Sequence, residues 1–217
     1  MASLYVLAVS ANSHGALILN AEGGLGLTVK PLDAMKGETR TPEFVAKNPF
    51  HCCPTYEEGS FVLWESNAIL RHLAEKNKLT AWYPEDLEKR AKVNQLLDYR
   101  QTAYYPALSA YVYPALGFMP ALDAAGTEAA KAKVLSTLED FEKHYLAGGK
   151  FAGDFDTPTI ADLALVPPLG FLGVYADFAL PAGVKAYVDR FSAAVKSYAE
   201  VKAPLDGFLG YLASQKK

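Results

Sequence analysis

The sequence predicts two folding units, a small α/β domain with a mixed sheet over residues 1–77 and an all-helical bundle over residues 86–217. Three observations point there. Strand and helix patterns alternate up to Lys76, no strand pattern follows Pro84, and a polar stretch carrying Trp82-Tyr83-Pro84 separates the two regimes as a linker at 78–85.

Leu4 to Val9 is apolar on both faces and reads as a central strand. A helix is expected from Ser13 to Glu22, stopped by Gly23 and Gly24, and a second strand from Leu25 to Leu32. Thr41-Pro42-Glu43 is a helix start: a cap, a proline at the first helical position and an acid in the first turn. Cys53 to Tyr56 and Phe61 to Trp64 form two short strands around a hairpin turn at Glu57–Ser60. Ser66 is expected to cap a helix whose apolar residues Ile69, Leu70 and Leu73 share a face. Beyond the linker, helices are expected at Leu87–Tyr111, Thr127–Leu146, Thr159–Tyr175, Ala182–Ala199 and Ala203–Leu212, with Pro106, Pro114 and Pro120 kinking or ending the first.

Composition excludes several functions. The chain has 217 residues, 51% hydrophobic and 21% charged, which is ample for a packed core. A net charge of −3 gives no reason to expect nucleic acid or an acidic membrane surface as partner. No apolar run reaches the roughly 18–20 residues that span a bilayer. Met-Ala-Ser-Leu-Tyr-Val-Leu lacks a basic segment and leads straight into a strand, so no signal peptide is expected. The two cysteines, Cys52 and Cys53, are adjacent, a poor geometry for a mutual bridge, and no disulfide framework is expected. The expected compartment is the cytosol. No metal site is expected.

Several segments could carry chemistry. Asn48-Pro49-Phe50-His51-Cys52-Cys53-Pro54-Thr55 runs into a strand; a cis bond before Pro54 would turn the preceding backbone outward for a peptide-like ligand, whereas a trans proline would simply open an edge strand. Glu65-Ser66-Asn67-Ala68-Ile69 spans a strand-to-helix junction, where free N–H groups can bind a carboxylate and Glu65 an ammonium; the plainer reading is an ordinary capped helix. Ser10 ends the first strand, and a hydroxyl there can donate to a thiolate without itself attacking anything; Asn12, Ser13 and His14 follow it closely. Thr159-Ile160-Ala161-Asp162 is a capping box and reads as a folding device. Tyr99, Tyr104, Tyr105, Tyr111, Tyr113 and Phe118 suit a pocket wall, a core or a subunit interface.

Together these segments resemble the soluble glutathione transferases, most closely the serine-type phi and theta classes, over nearly the whole chain. Leu4 through Ser10 is similar to their first strand with its catalytic serine. Thr41-Pro42-Glu43-Phe44, Asn48-Pro49-Phe50 and Pro54 resemble the segment ending in their cis-proline. Trp64 to Ile69 is similar to their glutamate-serine motif, Trp82-Tyr83-Pro84 with Lys89-Arg90-Ala91 to their linker and fourth helix, and Gly153-Asp154 with Thr159–Asp162 to their capping box.

The resemblance implies a thioredoxin-like first domain that binds glutathione and an all-α second domain that binds an apolar electrophile. Ser10 would stabilise the glutathione thiolate. Arg40 would meet the glycyl carboxylate, Cys53 before Pro54 would pair its backbone with the cysteinyl part, and Glu65 and Ser66 would hold the γ-glutamyl end. Asn12 and Cys52 are further glutathione contacts, and Tyr104, Tyr105 and Leu108 would line the electrophile pocket. Glutathione is then a cosubstrate, no other cofactor is needed, and the family implies a cytoplasmic homodimer. Conjugation is the expected reaction, with glutathione-dependent reduction of organic hydroperoxides as a second.

The sequence departs from the family pattern in three places. His51-Cys52-Cys53 replaces the usual glycine, polar residue and valine or isoleucine. Gly15 lies near where the first helix usually has an arginine. Asn12 or Ser13 could compete with Ser10 for the thiolate. A second resemblance, at Arg40–Phe44 and Tyr113–Gly117, is to the transferase-like assembly domain in the gamma subunit of the translation elongation-factor exchange complex.

Overall fold

The computed structural model describes residues 2–215; residues 1, 216 and 217, the outer ends of the two expected domains, lie outside that span. The first domain is built in the expected order: β1 (Ser3–Val6), α1 (Ala11–Glu22), β2 (Thr28–Pro31), α2 (Pro42–Lys47), β3 (Thr55–Glu58), β4 (Phe61–Leu63) and α3 (Ser66–Lys76). The strands form one sheet in the order β2-β1-β3-β4. β1 pairs parallel to β2 and antiparallel to β3, and β3 pairs antiparallel to β4. β1, β2 and β4 are shorter than expected, and β3 lies two residues later than expected, taking in Glu57 and Glu58 from the expected turn. Val9 lies outside β1 because the chain turns at Leu7, whose carbonyl accepts from the Ser10 N–H at 2.9 Å.

That topology places the site. β1 and β4 run the same way, so the chain leaves both at one end of the sheet, and α1 and α3 start there. β3 runs the opposite way and begins at that same end, where Thr55 pairs with Tyr5. Three chain segments therefore converge on one edge: Ser10–Asn12, Cys52–Pro54 and Glu65–Ser66.

The second domain is helical throughout: α4 (Leu87–Tyr99), α5 (Tyr105–Ala115), α6 (Ala124–Tyr145), α7 (Ile160–Leu165), α8 (Ala182–Ala194) and α9 (Tyr198–Gln215). The long helix expected from Leu87 does not stay α-helical. A π-helical segment, Arg100–Tyr104, joins α4 to α5. Pro106 follows at once; it has no N–H to continue the α ladder, and the wider turn accommodates the break. Pro167 and Pro168 likewise end α7 early and open a 3₁₀ segment, Pro167–Val174. The last two helices divide at Val195 rather than after Ala199, where Val195 adopts an extended backbone.

One apolar core runs through both domains. Leu4, Ile18, Ile69 and Leu73 meet Leu97, Leu163 and Leu165 within it. Gly15 permits this contact: a Cβ there would lie 2.7 Å from the Leu163 carbonyl oxygen, so α1 and α7 touch backbone to backbone. No side chain, arginine included, fits at that position.

The capping box forms as expected. Thr159 Oγ1 accepts from the Ala161 N–H, and Asp162 accepts from the Thr159 N–H at 2.6 Å. The fully buried Asp162 carboxylate also accepts from Ala152 N–H at 3.0 Å and Tyr187 O–H at 2.7 Å. It is a hub of the helical domain, far more than a cap.

Candidate active site

The convergent sheet edge faces the α4–α5 junction across an open cleft of about 130 Å³. Asn12, Cys52, Cys53, Pro54, Glu65 and Ser66 line it from the first domain. Arg100, Gln101 and Tyr105 line it from the second.

Two helix N-termini open onto this edge, and neither is capped by a side chain. Each helix leaves its first N–H groups without intrahelical partners, so both ends carry partial positive charge. At α1 the capping position is Ser10, with an extended backbone (φ −87, ψ 116). Its hydroxyl is half-buried and joins no hydrogen bond among the described residues. At α3 the expectation was that Ser66 caps the helix. Instead Ser66 is the first helical residue and Glu65 holds the capping position, at φ 70 and ψ 112. A non-glycine residue there is strained, and such strain persists where the surroundings over-determine it, commonly at ligand sites. The Ser66 hydroxyl is not spent on capping its own helix.

Between the two helix starts, the Cys53–Pro54 peptide bond is cis. Asn48 secures this loop: its side-chain amide donates to the Cys52 carbonyl at 3.0 Å and to Thr55 Oγ1 at 2.9 Å. Burial pushes the Cys53 thiol up to about 12, with Cys52 adding to the effect, so Cys53 is a neutral thiol near pH 7. The two cysteines form no disulfide. No cluster of three or more His, Cys, Asp or Glu side chains suited to a metal occurs among the described residues.

Comparison with known proteins agrees with this geometry. Residues 2–75 match the model of the glutathione S-transferase N-terminal domain. The chain is 34% identical to glutathione S-transferase F10 of Arabidopsis thaliana, over 72% of this chain and 74% of that protein. It is 36% identical to glutathione S-transferase D7 of Anopheles gambiae, over 75% and 72% respectively. The chain belongs to the glutathione transferase family. A delta-class glutathione transferase from Nilaparvata lugens superposes with a TM-score of 0.86 at 31% identity, covering 99% of both chains. The transferase fold expected from the sequence, a thioredoxin-like domain followed by a helical one, is the fold observed.

Not every expected residue reaches the transferase's cleft. Tyr105 lines it, but Ser10, Arg40, Tyr104 and Leu108 do not. Positions 104 and 108 are one helical turn apart and share the face turned to the core. Tyr104 is fully buried, donating to the Leu165 carbonyl at 3.1 Å, and Leu108 is 2% exposed. Arg40 is exposed, its guanidinium 3.5 Å from the His51 ring at the approach to Cys52. His51 stands where the family usually has glycine and keeps a left-handed backbone, φ 46. Ser13 drops out as a thiol partner: it is fully buried, and its hydroxyl accepts from the Leu7 N–H at 3.2 Å.

Sequence reading missed Arg100 and Gln101. An arginine in a polar helical stretch reads as solvated surface, and no periodicity marks the π segment that turns it inward. Arg100 donates from Nε to the Ala164 carbonyl at 3.3 Å and from Nη2 to Asn12 Oδ1. Asn12 Nδ2 donates in turn to the Tyr105 hydroxyl at 2.8 Å. The guanidinium also stacks on the Tyr105 ring, 4.2 Å from its centroid.

Proposed function

We propose that this transferase binds glutathione across the sheet edge as its thiolate and conjugates it to small apolar electrophiles, with organic hydroperoxides as a second class of substrate. The supporting observation is the convergence, in one cleft, of two uncapped helix N-termini and the Cys53–Pro54 loop. Glutathione is a peptide with an anionic γ-glutamyl carboxylate and a thiol that must ionise to attack. The free N–H groups of α3 and the Ser66 hydroxyl suit the carboxylate, and Glu65 suits the neighbouring ammonium. Cys53 takes part in no backbone hydrogen bond among the described residues, which leaves its N–H and C=O for the cysteinyl unit. The free Ser10 hydroxyl is the donor to the sulfur, and exposed Arg40 is the partner for the glycyl carboxylate.

The protein acts as a cytoplasmic homodimer in this reading. Phe50, 65% exposed with its ring 6.0 Å from that of Trp64, is an apolar group suited to a second subunit. Among the described residues, no helix is long and apolar enough to cross a membrane. The assembly-domain alternative draws no support from the relatives, which are named transferases.

The test is conjugation of glutathione to a small aromatic halide by wild type and Ser10→Ala. Loss of about 100-fold or more in kcat, with glutathione affinity largely kept, supports Ser10 as the thiolate donor. Unchanged activity assigns that role to Asn12. A folded wild type with no activity overturns the catalytic reading.

A further inference from the structure

Arg100 heads the largest fully buried side chains among the described residues, at 2% exposure, yet it lines the cleft. A guanidinium stays charged inside a protein, and taking it out of water is costly unless an opposite charge compensates. Here nothing does. Its acceptors are all neutral: the Ala164 carbonyl at 3.3 Å, the Gln101 side-chain oxygen and the Asn12 side-chain oxygen. It takes part in no ion pair among the described residues. Two of its five N–H donors are left without an acceptor.

The second observation is independent of the first. Helix α1, 12 residues long, begins at the same cleft with no side-chain cap. Asn12 joins the two features. Its oxygen is held by Arg100 and one amide N–H by Tyr105, while the other amide N–H has no acceptor among the described residues. Arginine, amide and helix terminus thus present only donors and positive charge to the cleft. This arrangement is complementary to a compact anion.

We propose that Arg100, working with Asn12 and the free N–H groups at the start of α1, is a positioning residue that holds the sulfur of bound glutathione as its thiolate. The inference rests on the transferase reading of the cleft and deepens it. In the step it assists, the thiol S–H bond breaks, the electron pair stays on sulfur and the proton passes to water; no bond to Arg100 or Asn12 is made. Arg100 comes from the helical domain, so a competent thiolate seat needs both domains docked. The other titratable groups lining the cleft are Glu65 just before α3, Cys52 and Cys53 before β3, and Tyr105 on the opposite wall; Tyr104, Tyr105 and Tyr113 also lie close enough to act on Arg100. Glu65 is the single carboxylate lining the cleft.

The test follows the ultraviolet absorbance of the thiolate in the binary complex of full-length protein and glutathione as pH is raised, with the free protein subtracted at each pH so that Cys52 cancels. Wild type is compared with Arg100→Met, Arg100→Lys and Asn12→Ala, and the pH profile of kcat/KM is recorded for each. The inference expects the midpoint to rise by about one pH unit or more in Arg100→Met, as removing an opposite charge at close range does. Arg100→Lys recovers at least half of that change, and Asn12→Ala moves the midpoint the same way by less. If Arg100→Met does not fold, Arg100→Lys and Asn12→Ala carry the comparison. Unchanged midpoints in the folded variants, beside a wild type that does ionise glutathione, overturn the inference alone and leave Arg100 to an anionic group on the electrophile. A wild type that binds no glutathione overturns the transferase reading and this inference with it.

Discussion

A Cβ on Gly15 would stand 2.7 Å from the carbonyl oxygen of Leu163, so the two domains of this transferase meet at a point where only hydrogen fits. In an open helix Gly→Ala gains up to about 1 kcal/mol. At this contact the neighbour is backbone on a packed helix and cannot move aside. Gly15→Ala is expected to lower stability by about 1–3 kcal/mol, as overpacking does. Gly207 and Gly210 on α9 have nothing within 4 Å of a built Cβ, and Gly207→Ala is expected to raise stability by about 0.5–1 kcal/mol. Urea midpoints for the pair decide the matter; stabilisation by both would mean that α1 and α7 separate freely.

The Asp162 carboxylate makes a comparable demand on the helical domain. It satisfies the N–H groups of Thr159 and Ala152 and the hydroxyls of Thr159 and Tyr187 while fully buried. Asp162→Ala leaves these donors without partners and is expected to cost about 3–5 kcal/mol. Tyr187→Phe removes a single donor and should cost about 1–3 kcal/mol. Chemical denaturation of both variants measures this, and a cost for Asp162→Ala below that for Tyr187→Phe would contradict the hub.

His14 gives a pH dependence. It is fully buried in α1, its Nε2 lies 2.9 Å from the Ala8 carbonyl, and its Nδ1 has no partner. Burial lowers its pKa from the ordinary 6.5, against the raising effects of the Ala8 carbonyl and Asp206, while Lys202 lowers it further. The unfolded chain therefore takes up this proton more readily than the folded protein. The contribution of His14 to stability is complete above about pH 6.5 and is lost as pH falls toward the lower folded value. His14→Gln should flatten the stability profile between pH 7 and pH 5, and thermal melts across that range would show an unchanged slope if His14 is not responsible.

Glu65 and Ser66 should separate binding from chemistry. Both line the cleft, and the proposed reading assigns them to the γ-glutamyl group rather than to the sulfur. Ser66→Ala and Glu65→Gln are expected to raise KM for glutathione about tenfold or more with a smaller change in kcat. Steady-state kinetics at saturating electrophile measure this, and a loss confined to kcat would move these residues toward the reacting atoms.

The thiols supply a chemical check on the cleft. Cys53, pushed up to about 12 by burial, should resist alkylation at neutral pH, and half-buried Cys52 should react first. Mass mapping after limited alkylation identifies the site, and glutathione should protect Cys52, which lines the cleft.

Much of this transferase was legible in the chain itself because its signals are local. The continuous apolar run from Leu4, the proline at the start of α2, the Gly59 turn and the Thr159–Asp162 box are short-range preferences, and each produced the element it specifies. The Ser10, Cys53-Pro54 and Glu65-Ser66 segments were identified by motif, and the β2-β1-β3-β4 topology explains why they meet at one edge. Tertiary structure decided the rest. Which face of a proline-interrupted helix turns inward depends on the π segment and on what packs against it, so Tyr104 went to the core and Tyr105 to the cleft. Nothing in the sequence marks Arg100 apart from the other arginines. Only the docking of the π segment against α1 and α7 buries its charge, because the neutral acceptors that hold it, Asn12 and the Ala164 carbonyl, lie 88 and 64 residues away along the chain.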